Sequence, residues 1–338
     1  MDESSVIDND HVAKKIIKIK FVDSHTAFDD RDNEIVDILR KHYLIEYSDN
    51  PEYLFYSAYS TNFINYNCIR IFYTGENICP NFNDCDYALG YECMRFGDRY
   101  LRYPSYFAYK DLLLKAYVKH HLPQDVLKQK TDFCSFVYSN IGADPIRESF
   151  FHKLNQYKKV DSGGRLFNNV GGPVADKCEF ERKHKFSIAF ENGSHDGYVS
   201  EKILGAFAAQ TIPIYWGSPS IAIDFNPKAM INVFDYESLD AVIERIKEID
   251  ADDQLYISML QEPAFIMPNS NKKYLEYESF LCHIIDQPYE KAFRRNNWSI
   301  SYFTQLKLRN IGFRKSLPIL KKLIIKQWRQ LINKVRYL

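Results

Sequence analysis

Two hydrophobic rhythms alternate along the chain. Residues 14–23 (KKIIKIKFVD) place apolar side chains at alternate positions and end on an acid, as a first strand with one buried face does. DNEIVDILRKHY (32–43) changes to helical spacing, and EYLFYSAYS (52–60), NCIRIFYTG (67–75) and DYALGYE (86–92) return to short apolar runs of strand length. The rhythm restarts near residue 130. DFCSFVYSN (132–140) predicts a strand, and Pro145 opens a helix through ESFFHKLNQY, where a missing N–H costs nothing. KFSIAFEN (185–192), TIPIYWGS (211–218) and AMINVFDY (229–236) predict strands, separated or followed by the helices SEKILGAFAAQ (200–210) and ESLDAVIERIKEI (237–249). The alternation predicts an α/β fold with parallel sheets, whose ligands lie outside the carboxyl ends of the strands. Two such runs predict two domains facing a cleft, at 1–128 and 129–290, with 291–338 left as a tail.

The length of 338 residues fits that division, and 46% hydrophobic with 26% charged residues is a globular composition. Basic and acidic residues balance at 44 each, but from Lys291 to Leu338 there is no acid. Within that tail LPILKKLIIKQWRQLINKVRYL (317–338) puts Leu320, Ile324, Trp328, Leu331 and Val335 on one helical face opposite Lys and Arg. A basic amphipathic helix suited to an anionic membrane surface is the expectation, ahead of a helix packed on the body with a solvated basic face. No RNA-recognition motif accompanies the basic tail, so nucleic acid is not expected as a partner. The seven cysteines form no C-x-x-C pair and read as free thiols of a reducing compartment. MDESSVIDNDH at the start has no apolar core, and no run reaches the length that spans a bilayer. The expected location is cytoplasmic, with the tail on the inner face of the membrane.

The chemistry concentrates at FSIAFENGSHDGYVSEK (186–202), where a strand stops at Glu191-Asn192-Gly193 and Ser200-Glu201-Lys202 open a helix. A helix N-terminus offers free N–H groups and about half a positive charge, which suits a diphosphate. Lys202 adds a full charge to phosphate oxygens, and Glu201 can accept hydrogen bonds from sugar or ribose hydroxyls. The doublet therefore fits a sugar nucleotide, against the plainer reading of a dipole-favoured acid beside a solvated lysine. G-x-G-x-x-G and G-x-x-x-x-G-K-[ST] are absent, which removes support for dinucleotide oxidoreduction and P-loop phosphoryl transfer. Asp84-Cys85-Asp86 has the D-x-D form of metal-dependent sugar transferases, but Asp86 is also explained as the start of a strand. His120-His121 lack partner ligands and belong to a helix surface.

Phe190-Glu191-Asn192, Tyr198-Val199-Ser200-Glu201-Lys202 and Pro213 to Gly217 occur in one ordered stretch, 190–236. This stretch resembles the donor-binding motif of the α-1,3/4-fucosyltransferases, the bacterial type in particular. Thinner matches extend upstream. FVYSN with PIR (136–147) resembles the family's strand and arginine, SGGR (162–165) its glycine-rich turn, and DYALGYECMRFGDRYLRYP (86–104) its acceptor-domain segment. The resemblance implies two Rossmann-like domains of GT-B type, with acceptor binding in 1–128 and GDP-fucose binding in 129–290. It implies inverting transfer of fucose from GDP-fucose to a hydroxyl of N-acetylglucosamine or glucose in an N-acetyllactosamine-like glycan, in an α-1,3 or α-1,4 linkage. It also implies that no metal is strictly needed, a divalent ion being at most stimulatory.

Roles follow on this reading. Arg147 and Lys202 hold the diphosphate, while Glu201 serves the fucose or ribose hydroxyls and lends electrostatic help to the transition state. Asn192, Tyr198, Ser139 and Arg165 complete the donor pocket. The relatives carry two adjacent acids after the D-Y-A-[IL]-G strand; here they are Glu92 and Cys93, a departure at the second position. Glu92 is the expected general base, with Asp98 as substitute. Two other readings stay open: the same fold with another sugar nucleotide, and a non-catalytic glycan- or nucleotide-sugar-binding homologue.

Overall fold

In the computed structural model, which describes residues 14–266, 270–296, 298 and 300–310, the two rhythms become two parallel β-sheets. The first contains β1 (Ile16–Val22), β2 (Leu44–Tyr47), β3 (Tyr53–Tyr56), β4 (Ile69–Tyr73), β5 (Tyr87–Gly90) and β6 (Tyr100–Arg102), in the order β2-β1-β3-β4-β5-β6. The second contains β7 (Asp132–Phe136), β8 (Val160–Ser162), β9 (His184–Phe190), β10 (Ile212–Trp216) and β11 (Ile231–Asn232), in the order β11-β10-β9-β7-β8. All pairings are parallel. Strand order reverses between β1 and β3 and again between β7 and β9, and such switch points open a crevice at the carboxyl ends of the strands.

The local sequence explains the main elements. In β1, Ile17, Ile19 and Phe21 turn inward while the lysines between them turn out. The helix Glu34–His42 is capped by the Asn33 side chain, which accepts from the Val36 N–H at 3.1 Å. Acids lie in its first turn and bases in its last, which favours the helix dipole. The expected strand 229–236 is shorter: Ile231–Asn232 pairs with β10, after which Asn232 bends the chain by accepting from the Phe234 N–H. The edge strands β2, β6 and β8 are too short to show a period and were not expected from the pattern.

Packing crosses the divisions drawn at 128 and 290. Leu113 and Ala116 of helix Lys110–Tyr117 share a core with Ile203, Leu204 and Phe207 of helix Glu201–Ala208. Tyr277, Leu281, Ile284 and Ile285 of helix Ser270–Asp286 lie in the core of the first sheet, beside Ile17, Ile19 and Ile38. A parallel sheet needs cover on both faces, and here the cover comes from segments distant in sequence.

The Asp84-Cys85-Asp86 triplet belongs to this cross-packing. Asp86 is completely buried and accepts the backbone N–H groups of Arg70 (2.7 Å), Arg294 (2.7 Å) and Arg295 (2.8 Å). Asp84 accepts from the side chains of Asn81 and Gln305. Asp98, the substitute base, is tied to His283 (3.0 Å) and Arg294 (2.7 Å) in the loop that leads back into β6. The beginning of the basic tail is thus docked on the first sheet, whereas 311–338, with the expected amphipathic helix, lies outside the described residues. Among the described residues no helix is long and apolar enough to cross a membrane.

The two sheets meet at their carboxyl ends. Arg102, the last residue of β6, forks onto both oxygens of Asp224 (2.8 and 2.6 Å), beyond β10. It also donates to the carbonyls of Tyr91 (2.9 Å) and Gly197 (3.3 Å), one from each half. Breaking a largely buried pair strands a charge at a cost of about 3–5 kcal/mol. Arg102→Gln should lower stability in urea denaturation by about that amount, and Arg102→Met/Asp224→Leu by less than the sum of its single variants.

Two lysines make stability depend on pH. Lys119 (1% exposed) donates to the Leu260 carbonyl, and Lys130 (7% exposed) to that of Arg182. Burial pulls both down to about 7 from the ordinary 10.5. Below about 7 both the folded and the unfolded chain bind the proton, so the full cost of burying the charge is present; above 10.5 neither does, and the cost vanishes. This contribution to stability should therefore rise with pH between those values. The urea midpoint of the native chain, measured against a Lys119→Met/Lys130→Met variant, should climb over that window.

Candidate active site

The second sheet's crevice is organised around a buried carboxylate. Glu191, just past β9, has 0% exposure. Its side chain accepts from the Ser200 N–H (2.8 Å) and hydroxyl (2.6 Å) and lies 3.2 Å from the Lys202 ammonium. Gly217 makes the room, because a Cβ there would stand 2.4 Å from the Glu191 Cγ. The loop 192–199 is thus closed by one side chain reaching the start of helix Glu201–Ala208.

Lys202 is shared among neighbours. It donates to the Ser200 hydroxyl (2.9 Å) and pairs with Glu191 and, at 3.5 Å, with Glu201. Burial pushes its ammonium down, but Glu191 and Glu201 outweigh that and hold it above its ordinary value. For Glu201 burial pushes upward, and Lys202 and Lys177 outweigh it, leaving the carboxyl below its ordinary value. Both remain charged at neutral pH. The Glu201 side chain keeps 34% exposure, so it can meet a ligand.

Arg147, near the start of helix Ile146–Tyr157, is 1% exposed and lies 4.1 Å over the Tyr138 ring. Its Nη2 donates to the carbonyls of Phe190 (3.1 Å) and Glu191 (2.8 Å) and to Asn192 Oδ1 (2.9 Å). Its Nε and Nη1 are buried with no hydrogen-bond partner. Leaving such donors unpaired costs about 1–3 kcal/mol or more, and an anion in the crevice is one way to recover it. Ser139 and Arg165 are exposed beyond the ends of β7 and β8, the Ser139 hydroxyl accepting the Arg165 N–H at 3.2 Å.

Glu92 comes from the other half. It is 8% exposed, and its Oε2 lies 3.0 Å from Nε2 of His195 in the loop after β9. Its Oε1 has no hydrogen-bond partner. Tyr91 meets Tyr198 edge to face (5.0 Å, 66°), and Tyr198 is 3% exposed, so it acts as a wall between the halves. Gly197 allows this approach: it has φ +79°, and a Cβ there would lie 2.4 Å from the Tyr91 carbonyl oxygen.

The structure therefore gathers Arg147, Asn192, Glu201 and Lys202 around Glu191, sets Ser139 and Arg165 at the neighbouring strand ends, and brings Glu92 across to His195 in the loop 192–199. The sequence reading missed Glu191 as organiser and His195 as partner of Glu92. Both stand in the motif stretch, but only the fold shows which side chain each one meets. Among the described residues one group has metal-ligand spacing, Asp132, Asp161 and His184, with ligand atoms within 4.8 Å of one another. Asp132 and His184 begin their strands, away from the crevice, and Asp161 is already paired with Lys159 at 2.6 Å.

Comparison with known proteins agrees with this geometry. Residues 19–109 match the model of the alpha-(1,3)-fucosyltransferase FucT N-terminal domain, and residues 127–299 that of the glycosyltransferase family 10 (fucosyltransferase) C-terminal region. The chain is 41% identical to alpha-(1,3)-fucosyltransferase FucT of Helicobacter pylori over 229 residues, 58% of this chain and 47% of that one. It is 33% identical to a putative fucosyltransferase, R654, of Acanthamoeba polyphaga mimivirus over 166 residues, 45% of this chain and 27% of that one. The matches thus span less than half the length of these curated relatives. A crystal structure of an α1,3-fucosyltransferase with GDP-fucose superposes with a TM-score of 0.68 at 30% identity, covering 85% of this chain and 96% of that one. The chain belongs to glycosyltransferase family 10, the fucosyltransferases.

Proposed function

We propose that the protein transfers L-fucose from GDP-fucose to a hydroxyl of a glycan acceptor with inversion, its two sheets forming the two Rossmann-like halves of a GT-B fold. The observation that carries this reading is Arg147, whose buried Nε and Nη1 have no protein partner at the switch point of the second sheet. A similar protein has been crystallised with GDP-fucose. Two human relatives at 29% identity are 4-galactosyl-N-acetylglucosaminide 3-alpha-L-fucosyltransferases and a third is a 3-galactosyl-N-acetylglucosaminide 4-alpha-L-fucosyltransferase, which supports an N-acetyllactosamine-like acceptor and leaves the linkage at 3 or 4.

Each residue then has a step. Arg147 and Lys202 meet the diphosphate and stabilise the charge that GDP gains as the bond to fucose C1 breaks. Lys202 acts within its pair with Glu191, so its second task is to hold the loop closed. Glu201, kept ionised, faces the sugar hydroxyls and the positive charge that develops on the ring. Asn192 and Tyr198 shape the pocket, and Ser139 and Arg165 guard its outer edge. Glu92 takes the proton of the acceptor hydroxyl as that oxygen attacks C1 from the opposite side. His195 orients Glu92 through Oε2 and leaves Oε1 for the acceptor.

GDP release from GDP-fucose, with and without N-acetyllactosamine, tests the reading. Glu92→Gln should lower acceptor-dependent release by roughly 100-fold or more while GDP-fucose affinity stays within about twofold. Arg147→Lys keeps the charge but loses the fork, and should weaken GDP binding by about 10- to 100-fold. Full acceptor-dependent release in Glu92→Gln would move the base elsewhere. Tight GDP-fucose binding without release in the native chain would favour the non-catalytic reading, and tighter binding of another sugar nucleotide would change the donor.

The basic segment 311–338 is read as an anionic-lipid contact, on its amphipathic pattern alone. Deleting 315–338 should abolish co-sedimentation with phosphatidylserine vesicles. Equal sedimentation of the truncated chain would sink that reading.

A further inference from the structure

A cavity of about 150 Å³ lies at the amino ends of β4 and β5, at the opposite end of the first sheet from the crevice. Asn67 and Arg70 line it from β4 and the turn before it, and Arg295, Asn296, Tyr302 and Gln305 from the start of the acid-free tail. Each of these side chains offers an N–H or O–H donor. Among the described residues that line the cavity there is no carboxylate.

The charges around it do not balance. Arg70 and Arg295 are 4% and 9% exposed, and the one fully buried acid beside them is Asp86. Arg295 lies with its Nε 3.1 Å from that acid, and its Nη2 donates to the Cys68 carbonyl. Its Nη1 is buried without a hydrogen-bond partner among the described residues. Arg70 is fixed at the wall by donating to the carbonyls of Tyr66 (2.8 Å) and Asp84 (3.3 Å) and to Gln305 Oε1 (3.1 Å). The half-buried Asp84 turns its carboxylate to the amides of Asn81 and Gln305. Burial, and after it the neighbouring charge of Arg295, pulls the Arg70 guanidinium down to about 10 from its ordinary 12.5. Two guanidinium groups held together in this way call for a further negative charge.

The shape selects the anion. The volume falls short of the roughly 300 Å³ at which nucleotide-sized pockets begin, and it suits one tetrahedral oxyanion. Guanidinium N–H groups meet phosphate oxygens strongly, and amides and a phenol supply donors for the rest. An anion here would also tie the start of the tail to β4, because Arg295 and Arg70 stand on the two sides. The rim leads outward to Trp298, which is 85% exposed and of a type that sits at headgroup level in membranes.

We propose that this cavity is a binding site for a phosphate group, held by Arg295 and Arg70 and distinct from the diphosphate site at Arg147 and Lys202. It rests on the buried arginine pair and not on the transferase reading. The phosphate comes either from solution or from the headgroup of an anionic lipid.

Inorganic phosphate, added to the full chain at constant ionic strength with chloride as the control, tests the site. GDP is kept at saturation so that phosphate is excluded from the crevice. Phosphate at about five times its Kd should raise the melting temperature by about 2 °C. Arg295→Lys keeps the charge and loses the fork, and should weaken phosphate binding in calorimetric titration about tenfold. Asn67→Asp changes an exposed residue of the rim and sets a carboxylate beside the two arginines, so it should weaken binding at least tenfold without unfolding the chain. Sedimentation with phosphatidic acid vesicles separates the two sources. If Asn67→Asp loses vesicle binding that phosphate competes away in the native chain, the ligand is a headgroup. If the variant loses the phosphate response and sediments as the native chain does, the ligand is the dissolved ion. A phosphate response no greater than that of chloride, or one equal in the native chain and Asn67→Asp, overturns the site.

Discussion

The buried charge of Glu191 is the constraint around which the second half is built. A carboxylate without solvent needs both an opposite charge and hydrogen-bond donors, and Lys202 and Ser200 supply them from nine and more residues downstream. The backbone of Glu191 is fixed as well, its N–H on the Trp216 carbonyl at 2.8 Å and its carbonyl under Arg147 at 2.8 Å. One residue thereby sets the register of β9 beside β10, the closure of the loop 192–199 and the first turn of helix Glu201–Ala208. Gly217 follows from it, since no side chain fits beside the Glu191 Cγ. The acid and base at the start of that helix are neighbours because Lys202 is needed inward, toward Glu191, while Glu201 is left facing outward with its charge secured by the same lysine.

The loop closed in this way is long enough to reach the other sheet. Gly197 and His195 touch Tyr91 and Glu92, and Arg102 holds the Gly197 carbonyl while gripping Asp224. The acid just past the end of β5 is thus oriented by a histidine from the loop 192–199, across the line where the halves meet. Its orientation depends on Arg102 and Asp224 remaining paired and on Glu191 remaining closed.

The sequence made the strands of both sheets legible where apolar runs were long enough to show a period, as in β1 and β9. It did not show β2, β6 or β8, whose three or four residues owe their place to the neighbour they pair with. Nor did it show that helix Ser270–Asp286 returns to the first sheet, because an apolar helical face states that it is buried and not against what. Around the site, the types and spacing of Arg147, Asn192, Glu201 and Lys202 were readable from the motif. The inward role of Lys202 was not, since it depends on Glu191 being stripped of solvent, and the partner of Glu92 was not, since His195 is distant in sequence. Asp98 had the right residue type and the wrong end of the sheet.

The departure at Glu92 and Cys93 also becomes a geometric question. Positions 92 and 93 lie just past β5, and their side chains meet different partners. Cys93 turns toward the second half, its sulfur 3.7 Å from the Ser220 hydroxyl, and packs at the close approach of Gly197. Glu92 turns to His195 and keeps Oε1 unused. The first position is therefore where this chain holds an oriented carboxylate, and the second is where its halves touch. On the transferase reading, a small side chain at 93 lets the donor loop settle against β5, and that contact brings His195 within 3.0 Å of the Glu92 carboxylate.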